Sequence, residues 1–210
     1  QKIDLIKLEK NQGSQKAISI GLEYAKDKDL EFDYLIVMDS DGEDRPADLQ
    51  LLISEAHKNN NNSIIFASRK KRMEIFTFKF FYFFYKLVFR ILTGRKINFG
   101  NYSCIPKKFL NEIVKVSFLK LHFPAAIIKS KLSYSDIPCD KGPRYAGDSK
   151  MSFNNLFVHG FMAFSIFLKE IIIRILIFIF ISNVILLLVL KFNLVIKINF
   201  IFLLFTTPLL

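Results

Sequence analysis

Apolar and polar residues alternate along the first 70 residues as they do in a chain that switches between strands and helices. Ile3–Leu8 predicts a short strand, and Ser14 is a suitable N-cap for the helix that follows. Asp33–Met38 and Ser63–Ala67 are short apolar runs, which are typical of buried parallel strands. Between them, Pro46–Lys58 has the opening proline and the apolar spacing of an amphipathic helix. This order of elements predicts an α/β fold with a mostly parallel sheet.

The segment 75–92 is strongly aromatic and predicts a helix with a mixed surface. Its three cations, Lys79, Lys86 and Arg90, are seven and four residues apart and therefore share one helix face. If this helix crossed a membrane, each buried cation would cost about 2.5–3.5 kcal/mol. A basic stripe opposite Phe and Tyr residues instead favours a helix that lies in the membrane interface.

Apolar residues dominate the C-terminal third of the chain. Leu132–Pro138 predicts a further strand, and 153–170 predicts an aromatic, amphipathic helix suited to the membrane interface. Ile171–Leu190 is long enough to span a bilayer. Lys191–Lys197 predicts a polar turn, after which a second apolar arm begins. The predicted parts are therefore a soluble domain, a juxtamembrane helix and a transmembrane hairpin, over 1–152, 153–170 and 171–210.

The composition points to an anionic partner. The net charge is +11, and the mean hydropathy of +0.29 is high for a purely soluble protein. Most of the positive excess lies before 171–210, so the soluble part is itself basic and suits an acidic membrane surface or phosphorylated substrates. The sequence contains no zinc-finger spacing, basic zipper or RNP-like signature, and we therefore expect no nucleic-acid partner.

The cysteines and histidines do not form a recognisable site in the sequence. Cys104 and Cys139 are far apart and lack a CxxC arrangement, which favours a reducing compartment over a disulfide framework. His57, His122 and His159 lack the spacing of metal ligands, so we interpret them as structural or surface residues.

The clearest chemical signal is Asp39-Ser40-Asp41, directly after a predicted strand. In open α/β sheets, ligands bind beyond the carboxyl ends of the strands. Two carboxylates at that place suit Mg²⁺ or Mn²⁺ held against a diphosphate, because hard cations prefer oxygen ligands. Glu43 offers a third carboxylate. The alternative is a solvated acidic turn in which Asp44 caps the next helix.

Several short motifs follow one another in a recognisable order. They are NxGxxxAxxxG, a strand, DSDxEDxP, a helix, a strand, ASR, an aromatic helix, TG and RxxGxSK, ahead of the apolar C-terminal segment. This order, from about Leu8 onward, resembles the polyprenyl-phosphate sugar transferases of glycosyltransferase family 2. The resemblance implies a partial GT-A, Rossmann-like catalytic domain over 1–152. It also implies metal-dependent, inverting transfer of a sugar from a nucleotide-diphosphate donor to a polyprenyl phosphate.

The resemblance also assigns roles to individual residues. Asp39 and Asp41 match the DxD motif, and Glu43 falls where the family usually has a Gln that also contacts the metal. The loop that ends at Lys150 matches a phosphate-gripping acceptor loop. The implied metal ligands for Mg²⁺ or Mn²⁺ are Asp39, Asp41 and Glu43. The implied catalytic residues are Asp39, Asp41, Arg69 and Arg144, and the implied phosphate-binding residues are Arg69, Arg144, Ser149, Lys150 and Asn101.

Asn101 departs from the family pattern. Gly100–Ser103 falls where many relatives have Gly-Asp-Phe-Arg, and that Asp is a candidate general base. An amide does not accept a proton usefully. However, the implied nucleophile is a phosphate monoester, whose second pKa of about 6 leaves it mostly dianionic at pH 7. A base is then dispensable and positioning matters more, so the sequence leaves open whether a base is used.

The ends of the sequence suggest a fragment. The family's first strand, nucleotide-binding turn and paired acids have no counterpart here, and the chain ends within an apolar run. We therefore expect a chain truncated at both ends that, alone, binds donor weakly and turns over negligibly. We expect the complete protein in the inner membrane with a cytoplasmic catalytic domain, contributing to cell-envelope glycan or glycoconjugate synthesis. The sugar, the nucleotide, the prenyl length, the metal preference and homo-oligomer formation stay open.

Other functions remain to be weighed. A processive polysaccharide synthase of the same superfamily would carry a QxxRW motif, and this chain contains no Trp. A family 2 transferase with a non-lipid glycan acceptor stays open, as does a noncatalytic membrane-anchored scaffold that kept the fold. Asn101 allows the scaffold interpretation. The intact set of Asp39, Asp41, Arg69, Arg144 and Lys150 argues against it.

Overall fold

The chain consists of two compact units. A computed structural model describes residues 3–28, 31–69, 76–147 and 153–206. Contacts between Cα atoms divide the chain into the units Gln1–Phe167 and Leu168–Leu210. In the described residues, the first unit contains a four-stranded sheet with helices, and the second is one long helix.

Strands and helices alternate through most of the first unit. The strands are β1 (Tyr34–Val37), β2 (Ile64–Arg69), β3 (Phe99–Pro106) and β4 (Tyr134–Cys139). The α-helices are α1 (Ser14–Asp27), α2 (Leu49–Lys58), α3 (Phe76–Thr93), α4 (Leu110–Ile113), α5 (Phe123–Ser130) and α6 (Phe153–Ile166). Single 3₁₀ turns at Pro46–Asp48 and Lys107–Phe109 lead into α2 and α4.

The sheet is mixed, which corrects the prediction of a mostly parallel one. Its strand order is β1-β3-β2-β4. β3 pairs antiparallel with both β1 and β2, whereas β2 and β4 pair parallel. Three strands therefore point in one direction, and the reversed β3 lies between two of them. The carboxyl ends of β1, β2 and β4 consequently meet at one edge of the sheet, together with the start of β3.

Three of the predicted strands are confirmed and one is wrong. The segments predicted as strands around residues 35, 65 and 135 became β1, β2 and β4. Ile3–Leu8 forms no strand, and the side chains of Ile3 and Leu5 are 88% and 89% exposed. A strand requires a neighbour for its N–H and C=O groups, and no described strand pairs with this segment. Without such a neighbour, its apolar pattern is insufficient.

The core below the sheet edge is formed by α2 and the sheet. Leu52 and Ala56 of α2 are fully buried against β2 and β3. Cys104 and Cys139 are buried in the same cluster. Burial raises the pKa of the Cys104 thiol to about 12, so this thiol stays protonated and packs as an apolar group.

α3 and α6 pack side by side through aromatic rings. The buried Phe89 lies 5.1 Å from Phe164 between ring centroids, and Tyr85 lies 5.5 Å from the same ring. Gly160 of α6 lies against Tyr85, where an added Cβ would come within 3.1 Å of the ring. On their outer sides, the two helices carry exposed apolar residues that we call the aromatic face: Phe80, Phe81, Phe83, Phe84, Leu87, Ile91, Phe157, Val158, Phe161 and Met162.

The second unit corrects the predicted hairpin. α7 runs without interruption from Leu168 to Thr206, and the predicted turn at Lys191–Lys197 is helical. No Gly or Pro occurs between residues 171 and 206, so nothing breaks the helix. The predicted juxtamembrane helix also ends earlier, because α6 stops at Ile166. By length and composition, Leu168–Ile201 is able to cross a membrane.

Candidate active site

The topology brings the sequence-predicted site residues to one edge of the sheet. Asp39 and Asp41 follow β1, Arg69 is the last residue of β2, and Arg144 follows β4. Asn101 lies near the start of the reversed strand β3, at the same edge. The β1–β3 pairing ends with Val37 opposite Ser103, so Asn101 lies beyond it on β3 at the same end of the sheet as Asp39. Residues from four separate strands thus meet where open α/β sheets bind their ligands.

The acidic segment after β1 forms a tight turn held by its own carboxylates. Asp41 Oδ1 accepts a hydrogen bond of 3.0 Å from the backbone N–H of Glu43. Asp44 Oδ2 accepts one of 2.9 Å from the backbone N–H of Asp39. Asp44 therefore does not cap the following helix, as the sequence predicted, but closes the turn. These hydrogen bonds fix the direction in which the other carboxylate oxygens of the turn are presented.

Arg144 joins two of the predicted metal ligands. Its Nη2 lies 3.0 Å from Asp41 Oδ2, and its Nε lies 2.8 Å from Glu43 Oε1. Lys141 Nζ adds a third contact, 2.9 Å from the same Glu43 oxygen. Burial raises the pKa of Glu43, but the hydrogen bonds from Lys141 and Arg144 outweigh it and bring that pKa below its usual value. Asp41 and Glu43 are therefore both directed at one cationic group.

Asp39, the third predicted metal ligand, also affects the pKa of Arg144. The hydrogen bond to Glu43 raises the pKa of Arg144 most, and the negative charges of Glu43, Asp41 and Asp39 raise it further. Asp39 therefore lies within electrostatic reach of the same guanidinium. The side chain of Arg144 is about a quarter exposed, at 28%, so a phosphate arriving from solvent is able to reach it.

The loop after β4 lies directly on the acidic turn. Gly142 N–H donates to Glu43 O at 2.9 Å, and Tyr145 N–H donates to Asp41 O at 2.8 Å. A Cβ added to Gly142 would overlap the carbonyl oxygen of Gly42. Gly42 has φ +94°, and a Cβ there would come within 2.9 Å of the carbonyl oxygen of Pro143, in the loop after β4. Glycine at both positions thus allows the two backbones to touch.

A second set of contacts anchors the turn to the sheet. Tyr102 of β3 donates its hydroxyl hydrogen to the carbonyl of Arg45 at 2.8 Å. Arg45 Nη1 in turn lies 3.6 Å from Oδ2 of Asp140, which begins the loop after β4. The turn is therefore tied both to β3 and to the loop that carries Arg144.

Asn101 is held by a residue that the sequence analysis did not single out. Gln15 Nε2 donates to Asn101 Oδ1 at 3.1 Å, and Gln15 Oε1 accepts from the backbone N–H of Phe123 at 2.5 Å. Gln15 is buried, at 7% exposure, although it belongs to the first turn of α1. The sequence carries no signal for this role, because the burial of Gln15 and its two partners follow from the tertiary structure.

Residues close to Gln15 in the sequence line an open cavity of about 290 Å³. It is lined by Leu8, Lys10, Asn11, Gln12, Gly13, Ser14 and Ala17. The backbone N–H of Gly13 donates to Asn11 Oδ1 at 2.9 Å, and Gly13 adopts φ +77°, which favours glycine. The NxG part of the first motif therefore shapes this cavity.

Comparison with protein families identifies the class to which this edge belongs. Residues 1–115 match the family model described as Glycosyl transferase family 2, which is more than half of the chain. The chain belongs to glycosyltransferase family 2. Its four-stranded mixed sheet with flanking helices is consistent with a partial GT-A domain. A search of curated proteins finds no match to the chain.

The carboxylates of this glycosyltransferase fit a divalent cation held jointly with a substrate. Family 2 enzymes commonly use such a metal. Asp41 Oδ2 and Glu43 Oε1 already converge on one guanidinium, so both reach a common cation. The described residues contain no group of three or more His, Cys, Asp or Glu suited to a metal. Two carboxylates nevertheless suffice for Mg²⁺, which is usually bound through one or two carboxylates and substrate phosphates.

The remaining predicted residues of the glycosyltransferase are only partly described. Arg69 ends β2 at the site edge, and its side chain lies outside the described part of the structure. Ser149 and Lys150 lie outside the described residues as well. Lys141, Tyr102 and Gln15 are further residues at or behind this edge that sequence reasoning missed. Each acts through a contact with a residue distant in sequence, which no local motif reveals.

Proposed function

We propose that this glycosyltransferase moves one sugar from a nucleotide-diphosphate donor to a polyprenyl phosphate at the cytoplasmic face of the inner membrane, for cell-envelope glycan or glycoconjugate synthesis. The observation that carries the proposal is Arg144 bridging Asp41 and Glu43 at the edge of the sheet. This arrangement combines anions for a cation with cations for phosphates in one place. The same compact unit carries the aromatic face, which suits a lipid substrate.

The donor diphosphate is the proposed ligand of the acidic turn. Asp39, Asp41 and Glu43 would hold Mg²⁺ or Mn²⁺, which would neutralise the charge that develops on the leaving nucleoside diphosphate. Arg69 and Arg144 would bind phosphate oxygens bidentately, for which the planar guanidinium is suited. The proposed phosphate contacts of the loop after β4 are completed by Ser149 and Lys150.

The reaction is a single displacement with inversion. A phosphate oxygen of the lipid forms the new bond to the anomeric carbon as the bond from that carbon to the donor diphosphate breaks. The electron pair of the broken bond leaves with the nucleoside diphosphate. No proton has to be removed from the nucleophile, because a phosphate monoester is mostly dianionic at pH 7. Asn101 at the position of a candidate base therefore agrees with a phosphate acceptor.

Arg144 has to change partners during such a cycle. In the structure, its guanidinium neutralises Asp41 and Glu43. When a donor diphosphate enters, the same guanidinium is free to bind phosphate oxygens while the carboxylates take their cation. Ser149 and Lys150 follow Arg144 closely in the sequence, so this one segment of the chain would supply three phosphate-binding groups.

The membrane location is supported by two apolar features. The aromatic face extends over α3 and α6, and exposed apolar area on this scale marks a contact with a protein or a lipid surface. In α7, Arg174 and Lys191 flank an uncharged stretch whose length matches much of a bilayer core. Asn183, within that stretch, donates to the carbonyl of Ile179 at 2.8 Å, so its polar amide is satisfied inside the helix.

A transfer assay tests the proposal. Full-length protein in membranes is incubated with labelled nucleotide sugars and polyprenyl phosphate, with and without Mn²⁺. We expect label in the lipid phase that requires the metal and disappears in Asp41→Ala. If the label instead enters a glycan or a protein, the acceptor is of that class and the proposed polyprenyl-phosphate acceptor is wrong. If wild-type protein binds nucleotide sugars but transfers no sugar, the result would favour the noncatalytic scaffold.

A further inference from the structure

A directional chain of hydrogen bonds connects the interior of the first unit to Asn101. It begins at the backbone N–H of Phe123, which donates to Gln15 Oε1 at 2.5 Å. It continues from Gln15 Nε2 to Asn101 Oδ1 at 3.1 Å. The three residues come from the starts of α5, α1 and β3, which are far apart in sequence.

The direction of this chain is fixed by its first member. A backbone N–H is a donor and never an acceptor, so the Gln15 atom that faces it must be the carbonyl oxygen. The NH₂ group of Gln15 therefore points to Asn101 and requires an acceptor there. The acceptor is Asn101 Oδ1. The NH₂ group of Asn101 therefore points away from Gln15. The orientation of both amides, which are ambiguous in isolation, follows from the Phe123 backbone.

The outer end of the chain lies at the site edge. Asn101 lies on β3 beyond the last pair with β1, at the end of the sheet where Asp39 follows β1, and it is partly exposed. Among the described residues, Asn101 Nδ2 has no hydrogen-bond partner, whereas Gln15 is buried with both of its polar atoms bonded. The group presented to a ligand at this point is therefore an N–H donor.

We infer that Gln15 is a positioning residue that fixes Asn101 as a hydrogen-bond donor to an anionic oxygen of the acceptor. This inference rests on the proposed function and narrows it. An N–H donor is complementary to a phosphate oxygen that attacks already deprotonated. It is unsuited to activating a sugar hydroxyl, from which a base would have to remove a proton. The acceptor class selected by this pair is thus a phosphate monoester.

Three substitutions separate positioning from simple structural support. In Gln15→Glu, one carboxylate oxygen still accepts from the Phe123 N–H, but the other faces Asn101 and turns its NH₂ inward. The Asn101 carbonyl would then face the acceptor. In Gln15→Met, both hydrogen bonds are lost, but nothing turns the Asn101 carbonyl towards the acceptor. In Asn101→Asp, Gln15 still donates to one oxygen, and a negative oxygen faces the acceptor.

The measurement is the affinity of full-length protein in detergent for farnesyl phosphate and for farnesol, with nucleotide-sugar affinity measured in parallel. We expect wild type to prefer the phosphate. Because a hydrogen bond to a charged group is lost, Gln15→Glu and Asn101→Asp should weaken farnesyl phosphate binding by about 10- to 100-fold. Gln15→Met should have a smaller effect, and nucleotide-sugar affinity should not change. In the transfer assay, the acceptor KM should rise in the same order.

Matched controls and outcomes keep the two proposals distinguishable. Asn111→Asp makes the same change at an exposed position of α4, which follows the carboxyl end of β3, and Gln50→Glu makes the same change at an exposed position of α2. If Gln15→Met is worse than Gln15→Glu, or if all variants keep the preference for farnesyl phosphate, the role of Gln15 is structural and the inference fails. Transfer to polyprenyl phosphate would then still stand. If wild type shows neither preference nor transfer, the proposed acceptor itself is wrong, and the inference falls with it.

Discussion

At the residue scale, the site is organised by charges that satisfy one another before any substrate is present. Arg144 lies between Asp41 and Glu43, and Lys141 adds a second cation on Glu43. The carboxylate oxygens that a divalent cation would need are thus the ones that already contact Arg144 and Lys141. Cation binding and Arg144 therefore compete for the same oxygens, and this competition is measurable.

Removing Arg144 is expected to strengthen cation binding while it weakens catalysis. In Arg144→Gln, the carboxylates of Asp41 and Glu43 lose a competing positive charge, so Mn²⁺ affinity without nucleotide should rise several-fold. Electron paramagnetic resonance of free Mn²⁺ measures this. Arg95→Gln, an exposed change outside the site, is the control. An unchanged or weaker Mn²⁺ affinity in Arg144→Gln would show that the guanidinium does not compete with the metal.

The buried histidine His122 gives the fold a defined acid sensitivity. Burial, and then the nearby His159, lower the pKa of His122 to about 3. Its ring lies 4.3 Å from that of His159, and its Nδ1 accepts from the backbone N–H of Ala125. Unfolded His122 binds a proton near its ordinary pKa of about 6.5, whereas the folded residue does not.

We therefore expect the free energy of unfolding to fall as the pH drops below about 6.5, by up to about 1.4 kcal/mol per pH unit, until the pH nears 3. Urea unfolding between pH 4 and pH 7 measures the slope. His122→Asn keeps a cap acceptor for α5 but does not titrate, so its slope should be shallower. Equal slopes in wild type and variant would exclude His122 as the cause.

At the element scale, two loops determine the site, and both depend on close backbone contact. Gly142→Ala would push a Cβ into the carbonyl of Gly42, which is backbone and has little freedom to move. We expect a loss of about 1–3 kcal/mol in stability, as for other overpacked positions, and weaker nucleotide-sugar binding. Gly21→Ala, where an added Cβ meets nothing within 4 Å, should instead be neutral or stabilising. Calorimetric melting temperatures compare the two, and equal melting temperatures would contradict the contact.

The aromatic face is expected to bind anionic membranes. Charged replacements at Phe80, Phe84 and Phe161 remove exposed apolar area without touching the buried contact of Phe89 with Phe164. With α7 deleted from the full-length protein, we expect wild type to float with vesicles that contain phosphatidylglycerol and the triple Asp variant to remain in solution. Triple replacement at the exposed polar positions Gln50, Lys58 and Asn111 is the control. Equal flotation of both proteins would rule out a lipid contact by this face.

The elements show what local sequence patterns are able to predict. β1 and β2 were predictable because each is a short apolar run bounded by turn residues. β3 was missed because Phe99–Pro106 contains Gly, Asn and Pro and owes its strand conformation to pairing on both sides. The predicted hairpin failed because Lys191 and Lys197 are compatible with a helix. The place of Asp39 at the site edge was predictable from its position after a strand, whereas the contacts of Gln15 and Lys141 required the tertiary structure.

At the scale of the whole molecule, a catalytic edge and membrane-compatible surfaces occur in one chain. The first unit supplies the acidic turn, the arginines and the aromatic face, and the second supplies a helix of membrane-spanning length. The proposed lipid-phosphate acceptor would unite these features, because its phosphate would match the cationic loop and its prenyl chain an apolar surface. The central claim beneath this account is that Asp39 and Asp41 bind a divalent cation together with the donor.

Isothermal titration calorimetry of the full-length protein with Mn²⁺, in the presence of nucleotide sugars, tests this claim most directly. The account predicts one bound Mn²⁺ per chain, whose affinity increases when a nucleotide sugar is present and is lost in Asp39→Asn/Asp41→Asn. Absence of Mn²⁺ and Mg²⁺ uptake by wild type, or equal uptake by wild type and the double variant, would contradict it.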